Sequence, residues 1–155
     1  MGYYIAYGSN LNIEQMGFRC PDSRIIGVSE LEDFQLLFKG SKTGSYLTIE
    51  RKAGSRVPVA VWEVSESDEK KLDRYEGYPN FYYKRHCLIN HDGGLRDAFV
   101  YIMHEDRKLG VPSDYYVETC LEGYKDFCFD RKYIDKALEI SRREAKYGAF
   151  DSMEW

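Results

Sequence analysis

Apolar and polar residues alternate along several short runs in the first two-thirds of the chain, and this period of two is typical of half-buried β-strands. Clusters of Gly, Ser or Lys separate the runs, as expected for turns. Between two of the runs stands Asp92-Gly93-Gly94, which favours a tight β-hairpin. The predicted strands cover residues 3–7, 25–28, 34–38, 46–50, 58–64, 82–90 and 97–103.

The last third of the chain has apolar residues at helical spacing instead. We predict helices over residues 113–127 and 131–147, the second with Asp130 as its N-cap, and two earlier helices over residues 12–18 and 67–76. Strands concentrated ahead of helices indicate an α+β fold rather than repeated βαβ units. A sheet curled into a barrel with helices outside fits this order, although periodicity does not fix whether the barrel closes.

Length, charge and hydropathy narrow the class of protein. The 155 residues are enough for one domain with its own core, which we expect to span residues 1–155. The formal net charge of -4 argues against a general nucleic-acid binder, because such proteins usually have a net basic face. The chain has no run of roughly 18 apolar residues and no signal-peptide pattern, so we expect no membrane contact and a cytoplasmic location.

Cysteine and tyrosine are the informative residue types in the composition. The four cysteines, Cys20, Cys87, Cys120 and Cys128, form no CxxC pair and lack zinc-site spacing, so we expect reduced thiols and no metal. The 14 tyrosines are unusual. Each combines apolar area with a hydrogen-bonding tip, which suits the wall of a small polar pocket as well as an ordinary core.

The segment from 65 to 85 places one carboxyl group on an apolar surface. Ser65 suits a helix N-terminus, and Gly77 suits the end of the same helix. Within that helix, Leu72, Tyr75 and Glu76 are spaced i, i+3 and i+4 and share one face. Partial burial and the negative end of the helix dipole would both raise the pKa of Glu76 and suit it to general acid-base catalysis. The alternative is a Glu76 side chain that bends into solvent at a frayed helix end.

The first predicted strand ends in Gly8-Ser9-Asn10, just before a short predicted helix. A glycine turn in this position aims successive backbone N–H groups into one concavity, which suits a carboxylate or a developing oxyanion. A tight turn in which Asn10 caps the following helix explains the same residues. The turn together with Glu76 favours an active site more strongly than either feature alone.

Several motifs follow one another along the chain. They are Tyr7-Gly8-Ser9-Asn10-Leu11, Arg19-Cys20-Pro21, Leu72-Asp73-Arg74-Tyr75-Glu76-Gly77 with Tyr83 seven residues after the glutamate, and Pro112-Ser113 ahead of Tyr116. In these motifs and their order the chain resembles the gamma-glutamylcyclotransferase family, including its plant AIG2-like relatives. The resemblance extends from Tyr3 to about Phe129. It departs at Pro58-Val59-Ala60-Val61, where many relatives have a glycine near Ala60, and this departure touches strand packing more than chemistry.

The resemblance implies a small mixed β-barrel with flanking helices. It also implies a reaction in which the free α-amine of a γ-glutamyl group attacks its own γ-carbonyl, releasing 5-oxoproline and an amine or amino acid. The substrate would be a small γ-glutamyl compound, with no metal or other cofactor.

The resemblance also implies roles for individual residues, carried over by position. Glu76 would be the acid-base catalyst. The substrate-binding residues would be Tyr7, Gly8, Ser9, Asn10 and Leu11 in the turn, with Tyr83 and Tyr116 in the pocket wall. Tyr115 would replace Tyr116 if the helix register shifted by one residue.

Three other functions stay open at this point. An enzyme with the same chemistry could remove a γ-glutamyl protecting group from an acylated natural product such as an aminoglycoside. A non-catalytic binding module on the same scaffold would not need Glu76 in a pocket. A nucleic-acid binder could use the tyrosines as stacking platforms. The sequence does not fix the oligomeric state, and a homodimer is compatible with it.

Overall fold

A six-stranded mixed sheet forms the centre of the computed structural model, which describes residues 1–41 and 44–153, with side chains up to residue 147. The strands are β1 (Gly2–Ala6), β2 (Arg24–Ser41), β3 (Gly44–Val64), β4 (Tyr82–His91), β5 (Gly94–Met103) and β6 (Lys108–Leu109). They lie in the order β4-β5-β1-β3-β2-β6. The short strand β1 is central, antiparallel to β3 and parallel to β5, so its C-terminal end opens into the middle of the fold.

The sheet curls into a half-barrel with four helices, which confirms the expected α+β fold and mixed sheet. The helices are α1 (Ile13–Arg19), α2 (Glu66–Glu76), α3 (Asp114–Asp126) and α4 (Lys132–Met153). Each starts one residue from its predicted start, and Asp130 accepts a hydrogen bond from the N–H of Lys132 at 2.9 Å, as expected of a cap. Across residues 1–41 and 44–153, no helix has the length and apolar character needed to cross a membrane.

Four of the predicted strands merge into two. Those over 25–28 and 34–38 lie within β2, and those over 46–50 and 58–64 lie within β3. The breaks predicted inside β2 and β3 are therefore wrong. Asp33, with φ 63°, stands at a register shift where its carboxylate accepts a hydrogen bond from the N–H of Gly54 at 3.0 Å. Much of this middle section is exposed on both faces, so it carries no alternating pattern that periodicity could detect.

One hydrophobic cluster joins the sheet to the helices, and it includes Ile5 of β1 and Leu72 of α2, both fully buried. Helix α3 comes especially close to the turn after β1. A Cβ atom on Gly123 would lie only 2.7 Å from the backbone nitrogen of Asn12, so glycine is required for this approach. The end of β1 is thereby enclosed between the sheet and α3. The single domain expected over residues 1–155 stays a prediction.

Candidate active site

A 3₁₀ turn over Ser9–Leu11 follows strand β1. The N–H of Leu11 donates to the carbonyl of Gly8, and the N–H of Asn12 donates to the carbonyl of Ser9, both at 3.0 Å. The N–H groups of Ser9 and Asn10 precede these bonds in the turn, so the turn itself does not use them. Gly8, Ser9 and Asn10 all line a cavity at this end of the sheet.

Asn12, rather than Asn10, caps helix α1. The side chain of Asn12 accepts a hydrogen bond from the N–H of Gln15 at 3.1 Å. The amide nitrogen of Asn10 instead donates to the hydroxyl of Tyr4 at 2.9 Å, and its amide oxygen accepts a hydrogen bond from Arg19. The alternative in which Asn10 is the helix cap is therefore wrong, because both ends of its amide are used inside the fold.

Helix α2 places Glu76 at its C-terminal end. The Ser65 hydroxyl accepts from the N–H of Asp68 at 3.0 Å while the Asp68 carboxylate accepts from the N–H of Ser65 at 3.3 Å, which completes a capping box. At the other end, Gly77 has φ 64°, a left-handed conformation that favours glycine. Leu72, one turn before Glu76, is fully buried. Glu76 therefore faces inwards and lines the cavity, so the alternative of a solvent-facing side chain is wrong.

The cavity beside Glu76 has a volume of about 260 Å³. Aromatic rings supply most of its wall, and Glu76 is the carboxylic acid among its described lining residues. Its size suits a small-molecule group about as large as one amino acid. The lining consists of Tyr4, Tyr7, Gly8, Ser9, Asn10, Tyr46, Leu47, Tyr75, Glu76, Phe81, Tyr82, Tyr101 and Tyr116.

Hydrogen bonds to the backbone fix the tyrosine rings of this wall. The hydroxyl of Tyr7 donates to the carbonyl of Tyr101 at 2.6 Å, and that of Tyr82 donates to the carbonyl of Leu47 at 2.8 Å. The N–H of Leu47 donates to the hydroxyl of Tyr116 at 3.0 Å. Burial, with a smaller effect of the nearby Glu76 charge, raises the pKa of Tyr7, Tyr82 and Tyr116 well above 10.0, so these phenols stay neutral.

Burial raises the pKa of Glu76 from 4.5 to about 8, against the lowering effect of the Arg19 charge. The side chain keeps partial exposure to the cavity, where water screens some of this effect. The guanidinium carbon of Arg19 lies 3.5 Å from the centroid of the Tyr75 ring, whose hydroxyl is 2.9 Å from Ser9 Oγ. The influence of Arg19 was not apparent from the sequence, because only the fold brings the end of α1 back to the cavity.

Most of the expected substrate-binding residues lie together. Tyr7, Gly8, Ser9, Asn10 and Tyr116 line the same cavity as Glu76. Leu11 is different, since its side chain is fully buried in the hydrophobic cluster and is not part of the lining. Any role of Leu11 would therefore be to hold the turn in place.

Tyr83 does not line the cavity, although it was expected in the cavity wall. Its neighbour Tyr82 lines the cavity instead. The hydroxyl of Tyr83 donates to the carboxylate of Glu105 at 2.7 Å. Adjacent residues on a strand point to opposite faces, so only one of this pair can face the cavity.

The choice between Tyr115 and Tyr116 in α3 is also resolved by position, because Tyr116 lines the cavity whereas Tyr115 is 75% exposed.

The thiols are poorly suited to act as nucleophiles at this site. All four cysteines are free. Burial raises the pKa of Cys20 and of Cys120 to about 12, so both stay protonated near neutral pH. In the part of the chain that the structure describes, no group of three or more His, Cys, Asp and Glu side chains is arranged to hold a metal ion.

Comparison with known sequences gives related proteins over much of the chain. The model of the family described as Gamma-glutamyl cyclotransferase, AIG2-like matches residues 4–118. The mouse gamma-glutamylcyclotransferase is 29% identical over 160 residues, which cover 97% of this chain and 85% of the mouse protein. The bovine gamma-glutamylcyclotransferase is 38% identical over 81 residues, which cover 48% of this chain and 43% of the bovine protein.

Solved structures agree with the sequence comparison. A structure of a gamma-glutamyl cyclotransferase has a TM-score of 0.75 and 28% identity, covering 88% of this chain and 85% of that chain. The protein YkqA from Bacillus subtilis has a TM-score of 0.72 at 16% identity, covering 91% of this chain and 54% of that chain, and this likeness concerns the fold alone. Because the family model matches most of its length, the chain belongs to the Gamma-glutamyl cyclotransferase, AIG2-like family.

Proposed function

We propose that the protein is a gamma-glutamylcyclotransferase-type enzyme that releases 5-oxoproline and an amine or amino acid from a small γ-glutamyl substrate. The observation that carries this proposal is a carboxyl group with a pKa of about 8, set in a tyrosine-lined cavity beside the Gly8 turn. Relatives named gamma-glutamylcyclotransferase in mouse and cattle support an enzyme of this family.

The proton affinity of Glu76 matches the task. The substrate's α-amine is a nucleophile only when it has lost its proton. Peptide α-amino groups have a pKa of about 7.7–8.0, and the free carboxylate beside a γ-glutamyl amine raises the pKa of that amine further. A pKa of about 8 brings Glu76 closer to the pKa of that amine than an ordinary carboxyl group, so the transfer of the proton costs less free energy. A carboxyl group with its usual pKa would be a poor acceptor for the same proton.

The reaction moves two protons, because the α-ammonium group of the substrate carries three and the ring nitrogen of 5-oxoproline keeps one. The amine nitrogen attacks the γ-carbonyl carbon, a carbon–nitrogen bond forms to close the five-membered ring, and the carbonyl oxygen becomes an oxyanion. The oxyanion then re-forms the carbonyl as the bond to the leaving nitrogen breaks. Glu76 passes the two protons in turn from the attacking nitrogen to the leaving nitrogen, which departs as an ammonium group, so the enzyme ends in its starting state. General acid-base catalysis of this kind contributes about 10²–10⁴-fold to the rate.

Orientation supplies the larger contribution. The nucleophile and the carbonyl belong to one molecule, and well-oriented intramolecular reactions reach effective molarities of roughly 10⁵–10⁸ M. The fixed rings of Tyr7, Tyr82 and Tyr116 would hold the γ-glutamyl chain in its folded-back shape. The N–H groups of Ser9 and Asn10 are the candidate donors to the developing oxyanion, and one such donor contributes about 10²–10³-fold.

Glu76→Gln tests the proposal, with Glu66→Gln as the matched control on the same helix. Glu66 is exposed at the first turn of α2 and lies outside the cavity lining. We expect Glu76→Gln to abolish 5-oxoproline release from γ-glutamyl dipeptides while its circular dichroism stays like that of the wild type, and Glu66→Gln to retain activity. Undiminished turnover by a folded Glu76→Gln protein would reject the role of Glu76. A wild type that releases no 5-oxoproline would instead favour a non-catalytic binding module.

A further inference from the structure

Arg107 lies next to the cavity wall, in the connection between β5 and β6. Its N–H donates to the carbonyl of His104 at 3.1 Å, which closes the turn. The guanidinium carbon of Arg107 is 5.0 Å from the centroid of the Phe81 ring, and Phe81 lines the cavity. Tyr46, a partly exposed lining residue, packs edge-on against the same ring at 6.2 Å. Arg107 therefore lies against Phe81, at the aromatic edge of the cavity, and this edge meets solvent.

The guanidinium of Arg107 has unused binding capacity. Its Nε is buried with no hydrogen-bond partner, and among residues 1–41 and 44–153 it makes no ion pair. The carboxylate of Glu105 accepts a hydrogen bond from the Tyr83 hydroxyl rather than from Arg107, and Lys39 is paired with Glu50 at 2.5 Å. A buried donor without a partner destabilises the protein. A ligand group that accepts a hydrogen bond from this guanidinium would remove that penalty without breaking an existing hydrogen bond or ion pair.

Arg19 provides a useful contrast. It also stacks on a ring of the cavity wall, that of Tyr75. Its guanidinium, however, already donates to the side-chain oxygens of Asn10 and Gln15. Arg19 is thus committed to holding the turn and α1, whereas Arg107 keeps its donors for a ligand.

We propose that Arg107 is a specificity-determining residue that binds a carboxylate on the leaving group, so that the enzyme prefers γ-glutamyl amino acids to γ-glutamyl amines. This inference rests on the proposed function. The γ-glutamyl part occupies the interior beside Glu76, and the leaving group extends past Phe81 towards solvent. A guanidinium is the side chain best suited to a carboxylate there, since it offers a planar set of donors and keeps its charge. A cationic amine at the same place would be repelled.

A pair of substrates that differ only in the carboxylate tests this role. γ-Glutamyl-alanine and γ-glutamyl-ethylamide share the reacting atoms and a nitrogen that carries the same two-carbon unit, to which alanine adds the carboxylate. We expect the wild type to have the higher kcat/KM for the dipeptide. Arg107→Gln should lower that value by roughly 10- to 100-fold, the range for one charge-assisted hydrogen bond, and leave the ethylamide value within about twofold. Arg107→Lys should give an intermediate result for the dipeptide.

Arg85→Gln is the matched control, because the Arg85 guanidinium stacks on Phe34 at 5.4 Å, away from the cavity lining. It should leave both kcat/KM values unchanged. Equal effects of Arg107→Gln on both substrates, or no effect on either, would overturn the specificity role while leaving the proposed function intact. Absence of 5-oxoproline from both substrates with the wild type would instead reject the proposed function.

Salt provides a measurement that needs no variant. Because the leaving group lies at the edge of the cavity that meets solvent, ions partly screen its attraction to Arg107. The kcat/KM of the wild type for the dipeptide should therefore fall as salt rises, whereas the ethylamide value should change much less. The same salt dependence for both substrates would contradict a leaving-group carboxylate bound by Arg107. This outcome decides the question even if Arg107→Gln does not fold.

Discussion

Replacing Glu76 with Gln should stabilise the folded protein, and the stabilisation should grow with pH. The pKa of this group is 4.5 in an ordinary setting and about 8 in the folded protein. Between these values the folded state holds a proton that the unfolded state has released, so the free energy of unfolding of the wild type falls as pH rises. Below about pH 4.5 both states are protonated and the penalty is absent, and above about pH 8 it is complete.

The size of this effect follows from the interval between the two pKa values. From 4.5 to about 8, at about 1.4 kcal/mol for each pH unit, the upper limit is about 5 kcal/mol. The carboxyl group keeps partial exposure to the cavity, so we expect screening to leave roughly 2–3 kcal/mol. Gln has the same shape and no charge, and it avoids this penalty. For a domain of this size the gain corresponds to a Tm higher by roughly 4–12 °C at pH 9.

Urea unfolding of the wild type and Glu76→Gln at pH 5, 7 and 9 provides the measurement. The two curves should nearly coincide at pH 5 and separate progressively towards pH 9. Glu66→Gln, which removes an exposed carboxylate from the same helix, should show a difference that does not change over this range. If the wild type and Glu76→Gln keep a constant difference from pH 5 to pH 9, burial does not hold the Glu76 carboxyl protonated, and the assignment of its pKa is refuted.

Two further substitutions test how the cavity is built. Gly123→Ala should destabilise the protein by about 1–3 kcal/mol in urea unfolding, because the new Cβ would lie 2.7 Å from the backbone of the turn. Gly17→Ala in α1, where a Cβ has open space, should be neutral or stabilising, and equal stability of the two variants would contradict the close approach. Tyr82→Phe should slow 5-oxoproline release because it loses a hydrogen bond of the cavity wall. Tyr83→Phe should not, and the reverse order would restore Tyr83 to the site.

The helix that carries Glu76 could be predicted because its signals are local. Ser65 and Asp68 form a capping box within one turn, and Gly77 ends the helix in a left-handed conformation. Both signals depend on residues a few positions apart, so they can be read without knowing the rest of the fold. The inward direction of Glu76 follows from its spacing to the buried Leu72.

The faces of the strands could not be predicted in the same way. Tyr82 and Tyr83 begin β4, and which of them faces the cavity depends on the register with β5, where Tyr82 pairs with Met103. A shift of one residue exchanges the two faces, and no local feature of this aromatic run fixes the register. The same limit explains β2 and β3, whose exposed middle sections are held by pairing with each other rather than by a buried face.

The environment of Glu76 depends on pairing of this non-local kind. Tyr4, Tyr101 and Tyr116 line the cavity with it and reach this place from β1, β5 and α3, and the opposing charge comes from Arg19 at the end of α1. These segments meet because β1 pairs with both β3 and β5 and α3 closes over the turn that follows it. The helical spacing therefore identifies Glu76 as the residue whose pKa rises. The size of the rise depends on the assembled fold, because rings from distant segments determine how completely water is excluded from this carboxyl group.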